Sequence, residues 1–242
     1  MTEQAQLEER IEQVRQTIRE AARKSGRRPE EITLLAVTKT VETPIILQAL
    51  DCGITAVGEN RVQELCRKRQ EIQREGVAWH LIGHLQTNKI RQVLPLADLI
   101  HSVDSLHLLD ALDREAEAQN RNVKFLLQVN VSGEESKFGI APDQVMQFVE
   151  NAAAKRNVRL CGLMTVPPPV KNPEENKPYF AALRNLAVDI RQKNYDNISM
   201  DILSMGMSGD YAAAIEEGAT IVRVGTSIFG QRISFRPPAE NQ

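Results

Sequence analysis

From Ile32 onward, short apolar runs alternate with amphipathic segments, and this order limits the fold more than any other feature of the chain. Eight runs read as strands: Thr33–Thr40, Ala56–Glu59, Ala78–Leu85, Leu99–Val103, Lys124–Val131, Arg159–Val166, Met200–Met205 and Ile221–Val224. Between them, Val62–Ile72, Leu106–Gln119, Pro142–Ala154 and Pro173–Gln192 carry the apolar spacing of half-buried helices. Pro44 follows Thr43, Pro173 follows Asn172, and Asp104 and Ser105 precede Leu106, so a capping side chain stands at each of these starts. A strict strand–helix order implies parallel strands with helical crossovers. Eight such units fit an α/β fold, a (β/α)8 TIM barrel of the smaller kind. An open doubly wound sheet is the alternative, but it is usually built from fewer strands, and the first strand–helix turn here has no GxGxxG.

An extra helix over 2–24 precedes the first strand. Leu7, Ile11, Val14, Ile18 and Ala21 form one apolar stripe along it, too short for a sustained coiled coil. Residues 1–30 are therefore expected to pack on the outside of the barrel. No proline- or glycine-rich linker divides the chain, and no β-rich C-terminal domain is expected, so 1–242 reads as a single domain. A formal charge of −2 offers no electrostatic reason to expect nucleic acid or an anionic membrane. The polar N-terminus is unlike a secretory signal, and no apolar stretch reaches membrane-span length; the expectation is a cytoplasmic protein. Cys52, Cys66 and Cys161 lie far apart, which argues against a disulfide framework or a zinc site and for small buried hydrophobes.

Chemistry in such barrels sits at the carboxyl ends of the strands. Lys39 closes a run that is apolar on both faces, where burial is the norm. Lysine is seldom fully buried without a partner, so this amine either reaches solvent or is held as a nucleophile for an aldehyde. After strand 7 comes Ser204-Met-Gly-Met-Ser-Gly-Asp210, and after strand 8 Val224-Gly-Thr-Ser-Ile-Phe-Gly230. Two small-residue turns on neighbouring strands, at Ser208–Gly209 and Gly225–Thr226, suit an anion such as phosphate, although either alone is equally a plain tight turn. Arg223 alternates with Val222 and Val224, which places it inward. It is then either paired with an acid such as Asp201 or part of a ligand site. His80 and His84 share a face of strand 3 about 13 Å apart, too far to chelate one metal; each reads as a hydrogen-bonded interior or rim group. Gln86, Asn88 and Lys89 suit caps or solvated positions, Lys137 suits a solvated loop, and Thr165–Pro169 reads as a stiff wall of the pocket.

An inward lysine on strand 1, an anion cradle after strands 7 and 8 and an inward arginine on strand 8 describe a pyridoxal 5'-phosphate site. Lys39 would form an internal aldimine, the turns would hold phosphate, and Arg223 would face the ring nitrogen. The residues that make this specific are Leu35-Ala-Val-Thr-Lys39, Gly58-Glu-Asn-Arg-Val-Gln-Glu64, Trp79-His-Leu-Ile-Gly83, Leu85-Gln-Thr-Asn-Lys89, Val129-Asn-Val-Ser to Lys137-Phe-Gly, Gly162-Leu-Met-Thr, Ser204 to Asp210, and Arg223-Val-Gly-Thr. With these, the chain closely resembles the YggS/PROSC family of pyridoxal phosphate homeostasis proteins over about residues 32–230. That family looks like the barrel half of bacterial alanine racemase. The resemblance implies Lys39 as the Schiff-base lysine, Ser208, Gly209, Gly225 and Thr226 at phosphate, Arg223 at the pyridine nitrogen, and Asn60 near the cofactor. His84 is not carried over.

A fixed cation at the ring nitrogen disfavours its protonation and leaves a poorer electron sink. Racemases resembling this fold use two bases, one a tyrosine of a second domain. Tyr179, Tyr195 and Tyr211 instead fall in helix-like segments or their connections. The reading that follows is a monomeric protein that holds pyridoxal phosphate, serves its homeostasis and amino-acid and keto-acid balance, and supplies pyridoxal-phosphate-dependent apoenzymes. A pyridoxal-phosphate-dependent racemase or related α-carbon enzyme is the alternative, and a phosphate-ester enzyme without cofactor a third.

Overall fold

The structure is a computed structural model that describes residues 2–134 and 136–230. The final stretch of the expected domain, 231–242, lies outside the described residues, as does Glu135 within the Ser132–Gly139 loop. Eight parallel strands close into a barrel in sequence order, β1 (Thr33–Val37), β2 (Ala56–Glu59), β3 (Ala78–Leu81), β4 (Leu99–Val103), β5 (Val123–Gln128), β6 (Val158–Met164), β7 (Ile198–Met207) and β8 (Ile221–Val224). Three of the expected strands, β2, β4 and β8, have their expected bounds. β1, β3, β5 and β6 stop pairing before their apolar runs end, β5 and β6 also begin one residue earlier, and β7 extends beyond its expected bounds at both ends. Closure is made by β1 against β8, with Leu35 opposite Arg223 and Ala36 opposite Val224.

The helices are α1 (Glu3–Lys24), α2 (Thr43–Asp51), α3 (Val62–Glu71), α4 (Ile90–Val93), α5 (Leu106–Ala118), α6 (Val145–Ala153), α7 (Lys177–Arg191), α8 (Tyr211–Glu216) and α9 (Thr226–Phe229). Pro142 and Pro173 open short 3-10 turns that lead into α6 and α7, so both helices start later than their sequence patterns. Ser105 caps α5 through Leu108 N–H at 3.2 Å, and the Asn172 side chain accepts from Glu174 N–H at 3.2 Å. Thr43 does not cap α2; the helix already includes it, and its hydroxyl binds Glu71 instead.

Two apolar layers lie on either side of the barrel wall. Inside are Leu35, Ala56, Leu99, Leu126, Cys161, Met164 and Ile221, with Cys161 among them as a buried thiol. Outside, the larger cluster joins the strands to the helices and takes in the α1 stripe, Leu7, Ile11, Val14, Ile18 and Ala21, all buried. From α1, Arg10 donates to Ile228 O at 2.6 Å and Arg15 to Gly53 O at 2.8 Å, and Arg27, just beyond its end, donates to Ala219 O at 2.8 Å, which ties this segment to the barrel. Cys52 and Cys66 are half-buried and unpaired. Among the described residues no helix is long and apolar enough to cross a membrane.

Candidate functional site

The carboxyl end of the barrel opens on a cavity of about 360 Å³ lined by Val37, Lys39, Asn60, Ile82, Val166, Met207, Ser208, Gly209, Arg223, Gly225 and Thr226. Every residue the sequence nominated for binding is among them. Val166 also carries out the walling role expected of Thr165–Pro169. Lys39 and Arg223 are the only ionisable side chains among these lining residues.

Lys39 does not close a buried strand. Pairing of β1 ends at Val37, Thr38 is still buried, and Lys39 is exposed in a turn at the mouth of the cavity. The turn forms because Val41 N–H bonds back to Thr38 O at 2.9 Å and Thr40 takes a φ of 59°. The fully buried lysine is Lys68 of α3, which sequence reasoning missed. Its ammonium donates to Thr38 O at 2.7 Å, Glu59 Oε1 at 2.8 Å and Glu64 Oε2 at 2.9 Å. The signal was present in the i, i+4 spacing of Glu64 and Lys68, which is common on exposed helix faces and so passes for surface.

Arg223 points inward as expected and is 4% exposed. It does not pair with Asp201, which is exposed. Its guanidinium donates instead to two neutral oxygens, Ser204 Oγ at 2.6 Å and Thr165 O at 2.7 Å. Among the described residues no carboxylate lies within ion-pair distance of it. Burial pushes its pKa down to about 10, with Asp210 working the other way.

Behind Arg223 runs a hydrogen-bonded chain through the barrel interior. Ser204 Oγ lies 2.9 Å from His101 Nδ1, and His101 Nε2 lies 2.9 Å from His80 Nδ1. Arg223 can only donate, so Ser204 accepts from it and turns its own proton toward His101 Nδ1. His101 then carries its proton on Nε2 and donates to His80 Nδ1, and both rings are neutral. Burial holds them so: it pushes His80 down to about 4 and His101 well below its ordinary value, the latter also repelled by His80 and Arg223. His80 is thus the hydrogen-bonded interior group expected, while its partner His101 escaped notice because a lone histidine in an apolar strand carries no spacing signal.

The two small-residue turns converge. Ser208 Oγ accepts from Gly225 N–H at 3.2 Å and Ser227 N–H at 3.3 Å, which ties the loop after β7 to the loop after β8. Asp210 closes the first turn, accepting from Met207 N–H at 2.7 Å and Asn176 Nδ2 at 2.8 Å. A Cβ placed on Gly209 would meet no atom within 4 Å, so the turn borders open space. Asn60 stands on the opposite rim, where a Cβ on Gly83 would come within 2.0 Å of its carbonyl oxygen; only glycine lets the loop after β3 pass.

His84, beyond the end of β3, is a rim group, with Nδ1 3.7 Å from Asp104 and its ring stacked on Phe138 at 4.6 Å. Lys137 is half-buried and paired with Glu134 at 2.6 Å rather than solvated. Gln86 and Lys89 border a second, polar groove of about 540 Å³ that meets the cavity at Asn60. Among the described residues no cluster of three or more histidine, cysteine or acidic side chains is placed to hold a metal.

The chemistry of these donors fits pyridoxal phosphate. A mouth amine suits an aldehyde, an open small-residue turn suits a phosphate, and a buried cation without a carboxylate suits an acceptor such as an unprotonated ring nitrogen. A closed (β/α)8 barrel with this amine, cation and turn set belongs to the class of barrels typified by the first domain of alanine racemases. The chain matches the family described as alanine racemase, N-terminal domain, over residues 9–233. It is 42% identical over 224 residues to a pyridoxal phosphate homeostasis protein of Aquifex aeolicus, covering 93% of this chain and 97% of that one. PipY of Synechococcus elongatus PCC7942, solved with pyridoxal phosphate bound, superposes with a TM-score of 0.81 at 34% identity, covering 93% of this chain and 100% of PipY. The chain belongs to the alanine racemase N-terminal domain family, among its pyridoxal phosphate homeostasis proteins. Alanine racemase of Clostridium difficile 630 shares the fold, with a TM-score of 0.68 at 15% identity over 91% of this chain and 56% of the racemase.

Proposed function

We propose that this protein binds pyridoxal 5'-phosphate in the β1–β8 cavity, with Lys39 as its covalent attachment point, and serves the homeostasis of that cofactor rather than efficient turnover. The observation that carries the reading is the convergence of Lys39, Arg223, Ser208–Gly209 and Gly225–Thr226 on one cavity. Lys39 Nζ attacks the aldehyde carbon; the amine gives up two protons, the carbonyl oxygen leaves as water, and a carbon–nitrogen double bond remains. Gly209 and Thr226 receive the phosphate on main-chain N–H groups, and the Ser208 hydroxyl keeps the two turns together. Arg223 donates toward the ring nitrogen, and Asn60 closes the opposite rim. The bound group supplies an electron sink for carbanions, and Arg223 weakens it by disfavouring protonation of the ring. Lys39 is the one amine base in the cavity lining, so the two-base proton exchange of a racemase lacks its second partner there. The reading extends to a monomeric cytoplasmic protein that hands cofactor to apoenzymes.

The test is visible absorbance of purified protein mixed with pyridoxal phosphate, followed by borohydride reduction and peptide mass mapping. A reduced adduct on Lys39, lost in Lys39→Ala, is the expected outcome; an unchanged band and adduct in that variant overturn the attachment. Rapid solvent-deuterium exchange at the α-carbon of any amino acid overturns the non-catalytic part.

A further inference from the structure

The two peptide groups on either side of Lys39 are both held from α3. Thr38 O accepts from the Lys68 ammonium at 2.7 Å, and Thr40 N–H donates to Glu64 Oε2 at 2.7 Å. Glu64 and Lys68 in turn bind each other at 2.9 Å, and Lys68 binds Glu59 at 2.8 Å. All three ammonium protons are thereby used, and Thr38 Oγ1 donates to Glu59 Oε1 at 2.5 Å, closing the ring of contacts. A fully buried lysine with a fully buried glutamate is a costly construction, weak as a stabiliser compared with apolar packing. What it does locally is hold a turn that its own residues disfavour. Thr40 is β-branched and stands at φ 59°, in the left-handed region where glycine is usual. A free turn of this kind would let the Lys39 Cα–Cβ bond sample many directions; bonds at Thr38 O and Thr40 N–H fix the main chain from which the side chain starts.

We infer that Lys68 and Glu64 are positioning residues that hold the Thr38–Val41 turn so that Lys39 faces the cavity. This rests on the attachment role given to Lys39 above and adds the device that aims it. Glu64→Ala frees the Thr40 N–H while leaving the buried Lys68–Glu59 pair in place. A second variant, Lys68→Met with Glu59→Gln, removes the buried charges together and keeps the side-chain volumes. Each is compared with wild type for the rate of borohydride-trapped adduct with pyridoxal phosphate, and for binding of pyridoxine 5'-phosphate, which has no aldehyde. Adduct formation is expected to slow about tenfold, the worth of a charge-assisted hydrogen bond, with pyridoxine phosphate binding unchanged. Adding Thr40→Gly to Glu64→Ala is expected to restore the rate, because glycine takes the left-handed conformation unaided; a contribution to stability alone would weaken pyridoxine phosphate binding along with adduct formation. Wild-type rates in both variants, equal losses for the two ligands, or no rescue by Thr40→Gly overturn the inference. Lys39→Ala run beside them separates the two claims: if it keeps the adduct, the attachment itself falls; if it loses the adduct while the clamp variants do not, only the clamp falls.

Discussion

Behind Lys39, on the outer face of the barrel wall, burial is met with full charges: Lys68 between Glu59 and Glu64. Behind Arg223, on the inner face, it is met with neutral groups: Ser204, His101 and His80 in one directed chain. Strand alternation explains the separation, since Glu59 is out of phase with the inner residue Ala56, whereas Arg223 is in phase with the inner residue Ile221. The outer cluster pins main-chain atoms of a turn, and charge gives those bonds strength. The inner chain supports a cation that must remain free toward the cavity, and a carboxylate there would occupy it. Compensating charge is placed on one side and withheld on the other, which leaves the turn of Lys39 held from α3 and, among the described residues, the Arg223 guanidinium without a carboxylate partner.

The largest effect should come from breaking the charged cluster from one side. Lys68→Ala leaves Glu59 buried without its cation and should cost about 4 kcal/mol in urea unfolding, as for other severed buried pairs. Lys68→Met with Glu59→Gln should recover more than half of that, because no orphaned charge remains. A similar loss in both would mean that packing, not charge, dominates there.

The neutral chain should show itself in acid. His80 sits near 4 in the folded protein against about 6.5 when unfolded, so the folded state binds fewer protons between these values. The stability it contributes is fully present above pH 6.5 and is lost as pH falls toward 4, about 3 kcal/mol from His80. Glu64, held below its ordinary value by Thr40 N–H and Lys68 against the opposing effect of burial, adds a loss in the same direction, whereas burial raises Glu59 and so opposes it. Urea midpoints from pH 7 to 4.5 should therefore slope downward, with His101, held well below its ordinary value by burial, contributing in the same direction, and His80→Gln should remove roughly half of the slope. An unaltered slope in that variant would break the account of a neutral chain.

The smallest effect is expected from an exposed pair that is shorter than the buried ones. Arg74 and Asp51 meet at 2.6 Å with side chains 43% and 60% exposed. Arg74→Ala should change stability by less than about 1 kcal/mol, which sharpens the contrast between a bond's length and its surroundings.

Much of the fold was legible. The period of the apolar runs placed eight strands, the stripe on α1 and the caps of Ser105 and Asn172, because these depend on neighbours within one element. The candidate site was legible where residue type and strand end coincide: Lys39, Arg223, and the glycine and serine turns of β7 and β8. The strand expected over Thr33–Thr40 ends at Val37, and the burial of Lys68 went unremarked, for one shared reason: a sequence pattern shows which residues are apolar but not where pairing stops or which loop covers a helix. Asp201 was offered to Arg223 as a partner for charge alone, yet the β6–β7–β8 register delivers Thr165 O and Ser204 instead.

The alternation of strands and helices, hence a parallel barrel, and the chemical set at its carboxyl rim both follow from local periodicity and residue type. That Lys39 is an exposed amine on a pinned turn, that Lys68 is the buried one, and that Arg223 leans on a chain of neutral rings do not. Those outcomes depend on contacts between residues far apart in the chain, such as His101 with Ser204, and closure of the barrel is what brings them within hydrogen-bond reach.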